Sequence, residues 1–136
     1  MITQDEVMDR ILMACPIYAK SWDPADQTDE NGEDRLLYCE ASDLCRYLEA
    51  RLDAHEDTEL AEAFALIEAL HVEGDAWVRN LATIGFLESL WPDERYLPWL
   101  EPVSRRWWDR LDRYMRWEDP SALSVIAPPY PAESAS

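Results

Sequence analysis

His55 and His71 are the side chains best suited to move a proton near neutral pH, and each needs a partner to do so. They fall on different helical segments, and neither has a second ligand or base at a recognisable spacing. His71 lies on or beside an apolar stripe, with Glu68 and Glu73 near it, and reads as a structural histidine. Cys15, Cys39 and Cys45 form an odd set without CxxC spacing or a nearby histidine. They read as small apolar core residues rather than metal ligands. Carboxylates number 29 in 136 residues, so proximity between two of them says nothing about acid–base catalysis. No GxSxG, HExxH, Walker or GxGxxG motif occurs. The chain reads as a binding protein and not an enzyme, with no metal or cofactor expected.

Charge is the second chemical resource. The net charge is −17, and it is unevenly spread. Residues 1–76 hold 20 acids and 5 bases (−15), whereas residues 77–136 hold 9 acids and 7 bases (−2). Such a field repels nucleic acid and anionic membranes and speeds encounter with basic proteins. Duplex binding needs cationic side chains against phosphates, and Lys20 is the single lysine. A protein this acidic can instead imitate nucleic acid in a basic cleft. The expected partner is a protein with a basic surface, not a nucleic acid and not a membrane. The acidic, amphipathic start MITQDEVMDR shows no signal peptide or membrane span, so a cytoplasmic location is expected.

The elements that would position these groups are helices. Thr3-Gln4-Asp5-Glu6 has the form of a capping box, followed by Val7, Met8, Ile11, Leu12 and Cys15 at helical spacing. Pro16 ends or kinks that helix, and Ile17, Tyr18 and Trp22 continue as a short second segment. Residues 23–34 carry six acids and no base around an Asn-Gly turn signal, a loop that serves either as a linker or as an anionic contact. Leu37, Ala41, Leu44, Cys45, Leu48 and Leu52 stripe a helix over about 35–55, and Ser42 offers an alternative cap for a shorter one. The next helix places Leu60, Phe64, Ile67, Leu70 and His71 inward, with Glu59, Glu62 and Glu68 off that stripe. Gly74 suits a left-handed position just past the helix end. Asp75 then caps a helix that is apolar from 81 to 87 except at Thr83, and so is packed on most sides. Pro102 fits the first turn of a last helix striped by Val103, Trp107, Leu111, Tyr114 and Met115, whose arginines pair with Asp109 and Asp112.

These elements predict an all-α fold: one compact domain over 1–118, four to five helices in antiparallel pairs, and a Pro-rich tail at 119–136. In the hairpin at 58–91, Asp75, Val78-Arg79 and Ala82 resemble the second helix of HEAT and armadillo repeats, without a second copy at a fixed period.

A wider resemblance rests on several blocks. They are Cys15-Pro16 ahead of Trp22, then Leu36-Leu37-Tyr38, then Phe64-x-x-Ile67-Glu68-x-Leu70. The specific one runs Glu73-Gly74-Asp75-x-x-Val78-Arg79-Asn80-Leu81-Ala82-Thr83-Ile84-Gly85-Phe86-Leu87-Glu88, and Pro102-x-Ser104 ahead of Trp107 or Trp108 and Leu111 follows. Together they span roughly residues 1–117 and resemble a family of small, acidic, all-helical bacterial proteins found among the immunity proteins of polymorphic toxin systems. The chain departs from the family pattern at Trp91-Pro92, where an amide-rich ending is usual. The resemblance implies a non-enzymatic immunity protein that occludes a cognate toxin, for instance a nuclease. A helical adaptor for an endogenous basic protein or peptide is the alternative. The candidate partner-binding residues are Asp26, Asp29, Glu30, Glu33 and Asp34 in the acidic loop, with Glu73, Asp75 and Trp77 at the hairpin turn; Trp22 and Trp99 are further aromatic candidates.

Overall fold

A computed structural model of the chain describes residues 1–23 and 37–118, so the acidic-loop candidates Asp26, Asp29, Glu30, Glu33 and Asp34 and the tail 119–136 lie outside the described residues. The fold is all-α. Helix α1 (Gln4–Ala14) is followed by α2 (Pro16–Ser21), α3 (Leu37–Asp53) and α4 (Leu60–Glu73). Next comes a composite helix made of α5 (Ala76–Asn80), a π-helical stretch (Leu81–Leu87) and α6 (Glu88–Leu90). A 3₁₀ turn (Glu94–Trp99) leads into α7 (Pro102–Met115). One continuous core draws on every one of these elements.

Local rules account for most boundaries. Glu6 Oε1 accepts from both the backbone N–H (3.2 Å) and the hydroxyl (3.0 Å) of Thr3, which ties down the first turn of α1. Pro16 and Pro102 each occupy the first turn of a new helix, where a missing donor is harmless. Asp75 caps α5, its carboxylate accepting from Val78 N–H at 2.9 Å.

Gly74 corrects its sequence reading. It is extended (φ −71°, ψ 153°), not left-handed. The chain here pairs with the N-terminus: Ile2 N–H donates to Glu73 O at 2.7 Å, and Asp75 N–H donates to Ile2 O at 2.9 Å. Glycine is needed for space rather than for φ. A Cβ at this position would lie 2.4 Å from Leu70 O and 2.6 Å from Val78 Cγ1. Gly74→Ala is expected to lower stability by about 2 kcal/mol, since a backbone carbonyl cannot retreat without shifting the end of α4. A urea melt unchanged within about 0.5 kcal/mol would show that the turn has slack.

The composite helix is buried at Leu81, Ala82, Thr83, Gly85, Phe86 and Leu87, a breadth that matches its unbroken apolar run. The π turn also re-routes carbonyls. Glu88 N–H reaches Thr83 O, the Cys45 thiol donates to Phe86 O at 3.5 Å, and Ser89 Oγ donates to Gly85 O at 2.7 Å. Gly85 lets α3 come close: its absent Cβ would meet Ala41 Cβ and Tyr38 Cδ1 at 3.4 Å. Cys15 and Cys45 are buried as expected, but Cys39 is exposed because it lies on the outer face of α3. Tyr114, read as part of the inner stripe of α7, is 36 % exposed and stacks on Trp117 beyond the end of the helix.

Candidate functional site

The described residues hold one constellation of catalytic residue types, and it is sealed. His71, Thr83 and Ser104 are all 0 % exposed. His71 Nδ1 lies 3.0 Å from Ile67 O and 3.1 Å from Ser104 Oγ, and Nε2 lies 2.9 Å from Thr83 Oγ1. Ser104 Oγ itself donates to Glu68 Oε1 at 2.8 Å. Since the serine proton is spent on Glu68, Ser104 receives the Nδ1–H, and Nε2 accepts from Thr83. This is the reverse of nucleophile activation, in which the imidazole takes the serine proton. Burial lowers the His71 pKa to about 4, so the ring is neutral at physiological pH. Burial also raises the Cys15 thiol to about 12 and lifts Cys45 further, so neither supplies a thiolate near neutral pH.

Two glutamates, Glu68 and Glu59, cap other helices. Glu68 Oε2 accepts from Val103 N–H (3.0 Å) and Oε1 from Ser104 N–H (2.8 Å), which satisfies the first turn of α7. Glu59, only 3 % exposed, does the same for α2: it accepts from Ile17 N–H at 2.8 Å and Tyr18 N–H at 3.2 Å, and from Tyr47 OH at 2.5 Å. In each case a proline fills the first helical position and the carboxylate takes the next two amides, where the helix dipole also favours negative charge. The sequence places Glu59 and Glu68 off the apolar stripe of α4, as if solvated. Both instead turn inward at the edges of that stripe, because the starts of α2 and α7 arrive there with unpaired amides. Glu62, the third member, is exposed.

The expected contact residues at the hairpin turn are spread in role. Glu73 is exposed at the end of α4. Asp75 is half-buried with a carboxylate oxygen committed to Val78 N–H. Trp77 is half-buried and meets Tyr38 edge-on, with ring centroids 5.7 Å apart at 77°. Trp22 is likewise half-buried and donates Nε1–H to the buried Glu40 at 3.1 Å. Two of the arginines at 105–116 pair as anticipated: Arg105 in α7 with Asp109 at 3.2 Å, and Arg116 just past its end with Asp112 at 2.8 Å.

A further surface escaped the sequence reading. Between α1 and α4 runs a groove of about 630 Å³, lined by the apolar Met13, Ala14, Ala65, Leu66 and Ala69 and by the charged Glu6, Asp9, Arg10 and Glu62. Met13 is 82 % exposed. The clue in the sequence is composition: α4 carries Ala61, Ala65 and Ala69 at successive helical turns along one side. Alanine there leaves a trough where longer polar side chains would have covered the helix.

Among the described residues no group of three or more His, Cys, Asp or Glu side chains is placed to hold a metal ion. None of the helices described is long and apolar enough to cross a membrane. No curated protein and no solved structure matches the chain. A family model described as a domain of unknown function (DUF7674) matches residues 8–116.

Proposed function

The chain belongs to the DUF7674 family of domains of unknown function, and we propose that this member is a non-enzymatic, cytoplasmic immunity protein that neutralises a cognate toxin by occluding a basic surface on it. The observation that carries the reading is the one-sided charge, −15 within residues 1–76 against −2 in the remainder. A field of that kind selects a basic partner and accelerates encounter, whereas affinity comes from buried apolar anchors. The acidic loop residues Asp26, Asp29, Glu30, Glu33 and Asp34, with Glu73, Asp75 and Trp77, are the proposed docking set. Two findings favour binding over catalysis: the Ser104–His71 pair is closed to solvent, and its protons run the wrong way for a nucleophile.

Co-expression with the protein encoded beside it in the genome is the test. Rescue of growth together with co-purification is expected; failure of both sinks the proposal. If charge steers docking, raising salt from about 0.05 to 0.5 M slows association on the order of tenfold while dissociation changes little. An association rate indifferent to salt would remove the acidic half as the docking face. The helical-adaptor alternative draws on the α4/α5 hairpin and its HEAT-like Asp75–Ala82 pattern. It gains if the neighbouring genes encode housekeeping proteins and the captured partner is an endogenous basic protein.

A further inference from the structure

We propose that the α1–α4 groove is a docking site for an amphipathic helix of a partner protein, with an apolar stripe flanked by lysine or arginine. This rests on the binding-protein reading above but names a surface that reading does not use. The groove has the two components such recognition requires. Its lining is largely apolar: Met13 and Ala14 come from α1, and Ala65, Leu66 and Ala69 from α4, with Met13 82 % exposed. Methionine is the side chain most able to repack against a variable apolar surface. The same lining is acidic, with Glu6 and Asp9 from α1 and Glu62 from α4, and Arg10 as its one base. Glu6 is held in its charged form, because the hydroxyl and backbone N–H of Thr3 both donate to it and lower its pKa.

Shape and charge together choose the occupant. Along the groove, from Glu62 to Ala69, α4 rises roughly 10 Å at about 1.5 Å per residue, enough for two turns of a partner helix with anchors at i, i+3, i+4 and i+7. A second copy of this chain would set Glu6, Asp9 and Glu62 against themselves, which like-charge repulsion disfavours. An anionic membrane surface meets the same repulsion. A basic helix turns the flanking acids into attraction while its stripe covers Met13 and the alanines.

The probe is a fluorescein-labelled peptide of about 14 residues with leucines at those anchor spacings and lysines flanking them, titrated with the full chain by anisotropy. A glutamate-flanked peptide with the same leucines is the comparison. The lysine peptide is expected to bind at least about tenfold more tightly than the glutamate peptide, a gap of about 1.4 kcal/mol. Ala65→Arg fills the trough at an exposed helix position that tolerates arginine, so the fold persists, and it is expected to weaken lysine-peptide binding at least about tenfold. The D9K/E62K double variant is expected to reverse the preference between the peptides. Equal binding of the two peptides, or A65R and D9K/E62K proteins that bind like the wild type, overturns the inference. Sedimentation of the wild type as a dimer that A65R abolishes does so as well, since the groove would then belong to a second copy. The two readings fail separately. An A65R protein that still rescues growth beside its toxin keeps the immunity proposal and moves its interface elsewhere. Peptide binding without rescue keeps the groove and rejects the toxin.

Discussion

Replacing Glu68 by alanine is expected to destabilise the domain by about 3 kcal/mol. Its carboxylate accepts the backbone amides of Val103 and Ser104 and the hydroxyl of Ser104, all within 3.0 Å. A hydrogen bond to a charged acceptor contributes about 1.5–3 kcal/mol, and a buried amide left without an acceptor costs about 1–3 kcal/mol. The three bonds do not simply add, because Val103 is only half-buried and water can reach part of the first turn of α7. Glu68→Gln keeps one acceptor oxygen and is expected to lose roughly half as much. Urea denaturation at pH 7 measures both, with Glu62→Ala, an exposed neighbour on the same helix, as a near-neutral control. A loss below about 1 kcal/mol for Glu68→Ala would mean that solvent, not Glu68, satisfies the start of α7.

Acidification from pH 7.5 to 4 is expected to remove about 3 kcal/mol of stability through His71 alone. The folded pKa of this histidine is depressed to about 4 from an ordinary 6.5, chiefly by burial. Between those values the unfolded chain binds a proton that the folded chain excludes, so stability rises with pH across the window. The contribution is complete above about pH 6.5 and gone once pH falls to about 4. Protonation of carboxylates relieves the repulsion of a −17 chain over part of the same range and works in the opposite direction. Comparison with His71→Gln cancels that term, since both proteins carry the same acids. The stability gap between wild type and H71Q should therefore narrow by about 3 kcal/mol from pH 7.5 to 4. A gap that stays constant with pH would show that the folded protein admits the proton, and hence that the His71 site opens.

These two expectations and the α1–α4 groove concern different faces of one helix. α4 holds α7 through Glu68 and α2 through Glu59 at its N-terminal end, presses His71 into the centre, and turns its alanines outward. Its residues are apolar almost all round, as befits a helix packed on most sides, yet the alanine side is bare. A partner helix laid there would complete the packing of the element that organises the rest.

The sequence by itself determined the helices and where most of them stop, because those features are local. Heptad-like spacing in α3, proline at the first turns of α2 and α7, and Asp75 ahead of Val78 each act within four or five residues. The run at 81–87, apolar except at Thr83, likewise announced a helix buried on most sides, although not its π-helical turn, where α3 brings the Cys45 thiol to Phe86 O and packs closely at Gly85. What only the tertiary structure decided are pairings between residues distant in the chain. Glu68 reaches across 36 residues to Ser104, and Glu59 across 42 to Ile17, and no periodicity in α4 separates these glutamates from the solvated Glu62. Gly74 shows the same limit from the opposite side. A glycine after a helix ordinarily signals a left-handed turn, but here Ile2 returns to pair with the chain on both sides of it, and the missing Cβ serves the close fit instead. The acidic balance was readable by counting charges along the chain. The groove needed two helices laid side by side, since α1 and α4 each contribute both apolar and acidic residues to it and become one surface only when α1 packs on α4.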